Sequence, residues 1–93
     1  MKSIENEHID RIKKLMKERR VALKFKQIDA AEHAGVSVRI VQQLEQQGKI
    51  SLLNFFKLMV VYKLDLNFWK FLNDKEGWTL EEIQRAETLT KTR

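Results

Sequence analysis

The chain has 93 residues with no cysteine and no proline, and 18 Lys and Arg against 13 Asp and Glu give it a formal net charge of +5. Its length suits one compact domain, and the lack of thiols excludes disulfides, thiolate zinc sites and thiol catalysis. No apolar run reaches the roughly 18 residues of a membrane-spanning helix and no secretion signal is present, so we expect a soluble, cytoplasmic protein.

The positive charge is concentrated in the middle of the chain. Residues 11–63 contain 12 Lys and Arg against 4 Asp and Glu, a net charge of +8, whereas residues 1–10 and 64–93 carry −2 and −1. A basic concentration of this kind attracts polyanions, because each phosphate neutralised by a cation releases condensed counterions. A solvated, lysine-rich surface would have the same pattern, so charge alone leaves both interpretations open.

Apolar residues at helical spacing predict three helices in the first half of the chain. In the first, Ile9, Ile12 and Met16 share one stripe, and the basic residues lie largely elsewhere. Gly35 is well placed to end the second helix, because glycine readily adopts the left-handed conformation, and Ser37 can cap the third. The three predicted helices span residues 4–22, 27–34 and 38–46.

The second half of the chain is predicted to begin with one long apolar helix and one short helix. The helix over residues 51–62 is apolar on most sides, and only Asn54 and Lys57 mark a polar stripe, so we expect it to be the most buried helix. Asn67 can cap a short fifth helix over residues 68–72.

A sixth helix is predicted near the C-terminus. Thr79 and Glu82 have the spacing of a capping box, which starts a helix that we expect to end near residue 88. The predicted fold class is therefore all-α, with a core domain in residues 1–73 and a C-terminal helical extension in residues 74–93.

Residues 27–45 have the spacing of a helix-turn-helix. Two helices that cross steeply over a short turn tolerate only a small side chain at their closest approach, which Ala31 provides, and Gly35 makes the turn. The side chains expected to face the core are those of Ala30, Ala34, Val36, Val41 and Leu44. The side chains expected to point outward are those of Val38, Arg39, Gln42 and Gln43.

This pattern resembles the lambda-repressor/Cro-type, or XRE-like, helix-turn-helix family of bacterial and phage regulators. The resemblance covers about residues 12–72 and rests on residues 19–23, the Ala31 and Gly35 pair, Leu44-Glu45 and residues 64–67. It implies a five-helix lambda-repressor-like domain, here with an additional C-terminal helix. The third helix would read double-stranded DNA, usually as a homodimer on an inverted repeat.

Four features depart from the family pattern. Lys24 stands where glycine is common, Lys26 replaces the usual Ser or Thr cap, and Ala30 replaces a leucine. Gln47 takes a glycine position, and Gly48 follows one residue later. These differences concern the geometry of the turns more than the fold.

The resemblance implies base contacts by Val38, Arg39 and Gln43, and their chemistry agrees with that role. Arginine can bond to guanine O6 and N7, glutamine to adenine N6 and N7, and valine can contact a thymine methyl group. Gln27 and Ser37 match phosphate-binding positions, where an amide, a hydroxyl and helix N-terminal amides hold backbone oxygens. Flanking contacts are expected from Gln42 beside the base-reading residues and from Lys26 and Lys49 toward phosphates. Any one of these could instead be an ordinary solvated side chain.

Glu45 needs a different interpretation, because a carboxylate beside a phosphate-facing surface would repel DNA. A structural role is favoured, and we expect Arg20 to be its partner. His8 and His33 lack the spacing of a metal or catalytic site, so we predict no cofactor and no metal. No phosphate loop or nucleophile-base pair is present either, so we do not expect an enzyme.

The aromatic residues of the second half are too crowded for so small a domain to bury them all. One interpretation is an apolar patch through which the protein self-associates. The other is that Trp69 and Trp78 pack beneath the sixth helix of the same chain. The predicted dimer or partner interface consists of Phe68, Trp69, Leu72 and Trp78.

Three functions follow, of which a dimeric repressor or autoregulator of bacterial or phage origin, associated with the nucleoid, is the leading hypothesis. The alternative is an antitoxin that binds both DNA and a partner toxin protein through the Trp69 and Trp78 region or the tail. The third is a protein-interaction adaptor that has lost DNA binding. The outward Arg39 and Gln43 and the basic central segment argue against the adaptor.

Overall fold

The computed structural model describes residues 3–91, which form six α-helices and contain no strand, as the predicted all-α class requires. The helices are α1 (Ile4–Ala22), α2 (Gln27–Ala34), α3 (Val38–Gln47), α4 (Leu52–Val61), α5 (Asp65–Asn73) and α6 (Leu80–Lys91). The predicted bounds of the first two helices are confirmed, and the third ends one residue later than expected. Residues 1–2 of the predicted core domain and residues 92–93 of the predicted C-terminal extension lie outside the described residues.

Left-handed residues make the turns around α2 and α3. Gly35 ends α2 with a φ of 71°, and Gly48 ends α3 with a φ of 68°. Lys24, at a position where the family pattern has glycine, also adopts a positive φ of 64°. This conformation costs a residue with a Cβ atom roughly 1–2 kcal/mol. The chain therefore keeps the turn even where it lacks the glycine.

Gly48 also permits a close approach between helices. A Cβ atom added there would overlap the side chain of Ile9, whereas a Cβ atom added at Gly35 would meet nothing within 4 Å. The N-terminal half of α1 thus packs directly over the C-terminal end of α3.

The start of α5 differs from its prediction. Lys63 adopts a φ of 59° immediately after α4, and the N–H of Leu64 bonds back to the carbonyl of Met59 at 2.8 Å. This tight turn lets the next helix begin at Asp65, whose carboxylate lies in the first turn where the helix dipole favours negative charge. The prediction that Asn67 caps a helix over residues 68–72 is therefore wrong.

The core lies where α2, α3 and α4 meet α1. Its buried side chains are those of Met16, Ala30, Ala31, Val41, Leu44, Leu58, Met59 and Tyr62. Ala30, which replaces a leucine of the family pattern, is completely buried. The prediction that α4 is the most buried helix is wrong, because α4 contains two buried residues, as α1, α2 and α3 each do, and its Leu52, Leu53 and Val60 are exposed.

The capping box of α6 is confirmed, but the helix adds nothing to the core. The N–H of Glu82 donates to the Thr79 hydroxyl at 3.1 Å, and the N–H of Thr79 donates to the Glu82 carboxylate at 2.8 Å. The helix continues to Lys91, beyond the predicted end near residue 88, and contains no buried residue.

Two adjacent arginines of α1 connect the helices. Arg20 donates to both carboxylate oxygens of Glu45, at 2.7 and 2.9 Å, and to the carbonyl of Phe25 at 2.8 Å. The Arg19 guanidinium donates to the carbonyl of Tyr62, at the end of α4, at 2.9 Å. The expected Arg20–Glu45 pair is confirmed, and its hydrogen bonds raise the pKa of the Arg20 guanidinium.

The Arg20→Ala substitution should strongly destabilise the protein. It would leave the Glu45 carboxylate, whose side chain is 4% exposed, without its cation. Breaking a buried pair from one side costs about 3–5 kcal/mol in the free energy of unfolding, which urea titration followed by circular dichroism would measure. Lys17→Ala, on the exposed side of the same helix, is the control and should change stability by less than about 0.5 kcal/mol. Equal stabilities of the two variants would contradict a role for the pair.

Tyr62 predicts a pH dependence at the alkaline end. Burial raises its pKa from 10.0 to about 12; the Glu45 charge adds to this shift and the Arg20 charge opposes it. The folded protein therefore retains this proton when the unfolded chain has lost it, and stability falls as the pH rises from about 10 to about 12.

The Tyr62→Phe variant should lack this part of the pH dependence. It should also be at least as stable at neutral pH, because the buried hydroxyl has no hydrogen-bond partner among residues 3–91. The midpoints of urea unfolding of the wild type and the variant, measured between about pH 9 and pH 12, give the comparison. All other titrating groups are the same in the two proteins, so a difference between the profiles reports Tyr62. Parallel profiles would show that Tyr62 does not titrate in this way.

Candidate nucleic-acid interface

The outer side of α3 presents a polar surface to solvent. Arg39 is exposed at its centre, and Gln42 and Gln43 are half-buried on either side. At 100° per residue these positions fall on the side opposite the buried Val41 and Leu44. The outward placement predicted for the three polar residues is confirmed, and their contacts with bases stay predictions.

Val38 does not belong to this outward set. It is half-buried and packs against the hydrophobic core. The reason lies in its spacing, because Val38 is seven residues before Glu45 and shares the side of α3 that faces α1. The expected outward position of Val38 is therefore wrong.

Gln46 is an exposed residue on the outer side of α3 that the sequence analysis missed. It follows Gln42 by four residues and Gln43 by three, so it continues the same stripe. The signal was present in the sequence, as helical spacing from Arg39.

The predicted phosphate-binding residues lie around the starts of α2 and α3 and at the end of α3. Ser37 is the exposed N-cap of α3, and its side chain makes no capping hydrogen bond. Lys26 is the N-cap of α2, and its backbone N–H donates to the Asp29 carboxylate at 3.0 Å, so its exposed ammonium plays no part in the cap. Lys49 is exposed immediately after Gly48. The hydroxyl and both ammonium groups point away from the core, as phosphate contacts would require.

Gln27 occupies the first position of α2 and is held in place by Glu45. Its amide nitrogen donates to the Glu45 Oε1 atom at 3.1 Å. That nitrogen carries a second hydrogen, which remains able to donate to a phosphate oxygen. The pairing thus orients the amide that the resemblance assigns to phosphate binding.

The charge of Glu45 is neutralised inside the protein. Arg20 donates hydrogen bonds to both of its oxygens. The Arg20 side chain is 9% exposed and the Glu45 side chain is 4% exposed. A bidentate contact of this type is stronger than one between neutral groups and fixes the orientation of both side chains. The carboxylate therefore supports α3 without presenting an exposed negative charge to DNA.

A second exposed surface is apolar and lies on α4 and α5. Trp69 stacks on Phe56 with ring centroids 5.7 Å apart and an interplanar angle of 11°. Leu53 and Val60 flank Phe56 at helical spacing, and Leu72 follows Trp69 by three residues. We call this set of five residues the α4–α5 face.

The four residues predicted to form an interface differ in their exposure and position. Trp69 and Leu72 are 50% and 49% exposed, whereas Phe68 is half-buried, packs against the core and lies beneath Trp69. Trp78 is 49% exposed in the segment before α6, with the Lys75 ammonium 5.9 Å from its ring. Packing of both indoles beneath α6, the second interpretation of these aromatics, is therefore not observed.

Residues 3–91 show neither a metal-type cluster of His, Cys, Asp and Glu nor a helix with the length and apolarity needed to cross a membrane.

Comparison with protein families matches the part of the chain that carries the polar surface of α3. A family model described as helix-turn-helix matches residues 16–69, which include all of α2, α3 and α4 and more than half of the chain. Neither the curated proteins nor the solved structures contain a match to the chain. The match spans α2 and α3, the two helices for which the sequence predicts the helix-turn-helix. The chain therefore belongs to the lambda-repressor/Cro-type helix-turn-helix family of DNA-binding transcriptional regulators.

Proposed function

We propose that the protein is a repressor or autoregulator that binds an inverted-repeat operator as a homodimer in the bacterial or phage nucleoid, and that it has no catalytic activity. The single observation that carries the proposal is the exposed Arg39 on the outer side of α3, with a glutamine on each side. The Arg20–Glu45 pair holds this helix against α1 and so presents the three side chains in one fixed orientation.

The chemistry of these side chains suits direct reading of base pairs. Arg39 can bond to guanine O6 and N7, and Gln43 offers a donor and an acceptor that match adenine N6 and N7. Lys26, Gln27, Ser37 and Lys49 would fix the register by binding phosphates. Phosphate contacts give affinity that falls with salt, whereas the α3 residues would supply the sequence preference.

The α4–α5 face supports the homodimer. Its Trp69 stacks on Phe56, its Leu53, Val60 and Leu72 are exposed at helical spacing from this pair, and none of its five residues is charged, as at the apolar centre of protein interfaces. A two-fold axis through this face would pair two copies of the same patch, and binding to an inverted repeat requires the two α3 helices to lie on successive major grooves, roughly 34 Å apart. In this arrangement residues 1–73 form the DNA-binding domain, and residues 74–93 form an extension outside it.

An antitoxin is the second candidate, and the exposed apolar side chains of the extension favour it. Trp78 and Leu80 are exposed around the start of α6, and Leu89 is exposed on the opposite side of the helix. A helix with unburied apolar residues is stabilised when a partner covers them. A toxin gene next to the gene for this chain would favour this function over a simple repressor.

The Arg39→Ala substitution should relax the sequence preference at one position of each half-site. Loss of a bidentate base contact reduces discrimination by about 1–3 kcal/mol while folding stays intact. Selection of the purified protein on random duplex DNA, followed by binding measurements on single-base variants, gives the preference. Arg85→Ala, an exposed arginine of α6, is the matched control and should leave the selected sequence unchanged. An unchanged preference in the Arg39 variant would contradict the assignment of α3 as the reading helix.

The Trp69→Ala substitution should weaken dimerisation by removing the most extensive side chain of the α4–α5 face. Sedimentation equilibrium would show the change as a shift toward monomer. Phe71→Ala is the control, because Phe71 is an exposed aromatic residue of the same helix. At 100° per residue it lies on nearly the opposite side of α5 from Trp69. A dimer that responds equally to both substitutions, or to neither, would exclude this face as the interface.

A further inference from the structure

The recognition helix is longer at its C-terminal end than the family pattern implies. Gln47 stands at a position where the pattern has glycine, and α3 continues through it to end at Gly48. Gln46 therefore lies inside the helix rather than in the turn. Its side chain is exposed.

Helical spacing puts Gln46 among the reading residues of α3. It follows Arg39 by seven residues, which is close to two full turns, and it follows Gln42 by one turn. Its position, at 100° per residue, lies between those of Gln42 and Arg39 around the helix axis. Gln46 is thus directed away from the core at the middle of the outward surface. Gln47, also exposed, is rotated by a further 100° and lies beyond Gln43 at the edge of this surface, farther from its middle than Gln42, Gln43 or Arg39.

The backbone on both sides of Gln46 is held in place. Glu45, which precedes it, is bound by Arg20 and by the amide of Gln27. Gly48, two residues later, lies against Ile9 so closely that no Cβ atom would fit. A contact made by Gln46 therefore requires the ordering of one side chain and no ordering of the main chain, which keeps the entropic cost small.

We propose that Gln46 is a further specificity-determining residue, which recognises the adenine of an A·T pair beyond the pairs read by Arg39 and Gln43. This inference rests on the proposed function. The primary amide of glutamine has one donor and one acceptor at the spacing of adenine N6 and N7 in the major groove. Seven residues at 1.5 Å each separate Gln46 from Arg39 by about 10 Å along the helix, or roughly three base-pair steps.

The test compares random-duplex selections by the wild-type protein, Gln46→Ala and Gln47→Ala at one salt concentration. For the wild type we expect an A·T preference at a position about three steps from the guanine that Arg39 reads. Gln46→Ala should lose about tenfold of the discrimination at that position alone, measured by binding to single-base variants. Gln47→Ala removes the same side chain one residue away and should select the wild-type sequence.

Three results would overturn the inference. If Gln46→Ala selects the same sequence as the wild type, Gln46 reads no base. If it binds all sequences more weakly by one factor, with a smaller salt dependence, Gln46 contacts only a phosphate. If the wild-type protein enriches no sequence at all, the proposed function itself fails, and the inference fails with it. The first two results leave the proposed function intact, because the wild-type selection still gives an operator.

Discussion

The arrangement of α3 depends on one buried ion pair, between Arg20 of α1 and Glu45 of α3. Two hydrogen bonds join the groups, a third connects Arg20 to the carbonyl of Phe25 in the α1–α2 turn, and a fourth brings Gln27 to the same carboxylate. Moving two charges out of water is costly, and the attraction between them repays the cost only where the remaining donors and acceptors are also satisfied. Here the satisfied pair fixes the rotation of α3 about its own axis. That rotation decides which side chains face outward.

This constraint explains which parts of the site could be predicted from the sequence. The periodicity of α1 to α3, the small Ala31 and the turn at Gly35 are local signals, and they were sufficient for the fold and for the outward position of Arg39. The Arg20–Glu45 pair followed from electrostatics, because an unpaired carboxylate beside DNA is unfavourable. The outward position predicted for Val38 is wrong because Val38 shares the side of α3 that carries Glu45, and the Arg20–Glu45 pair turns that side toward α1.

Two further errors concern helix ends, where backbone geometry overrides residue preference. Asn67 is a good capping residue, yet α5 begins earlier because Lys63 takes a left-handed conformation that turns the chain at once. A lysine at positive φ gives no sequence signal of this kind. Similarly, glycine stands at position 48 and not at position 47, where the family pattern has it, and this lengthens α3 by one residue. Gln46 then lies within the helix, on its outer side, which the helix end observed in the structure makes apparent.

The two exposed surfaces differ in charge as well as in polarity, and this difference bears on how they can be used together. Residues 11–63 carry the net charge of +8, which draws the protein to DNA but also makes two copies of that segment repel each other. The α4–α5 face itself contains no charged side chain, but its Leu53, Phe56 and Val60 belong to that basic segment, in which the exposed Lys57 lies beside them. Association through this face would therefore bring two basic segments toward each other. DNA would then stabilise the dimer in two ways: it would bind both α3 helices, and its phosphates would screen the repulsion between the two basic segments.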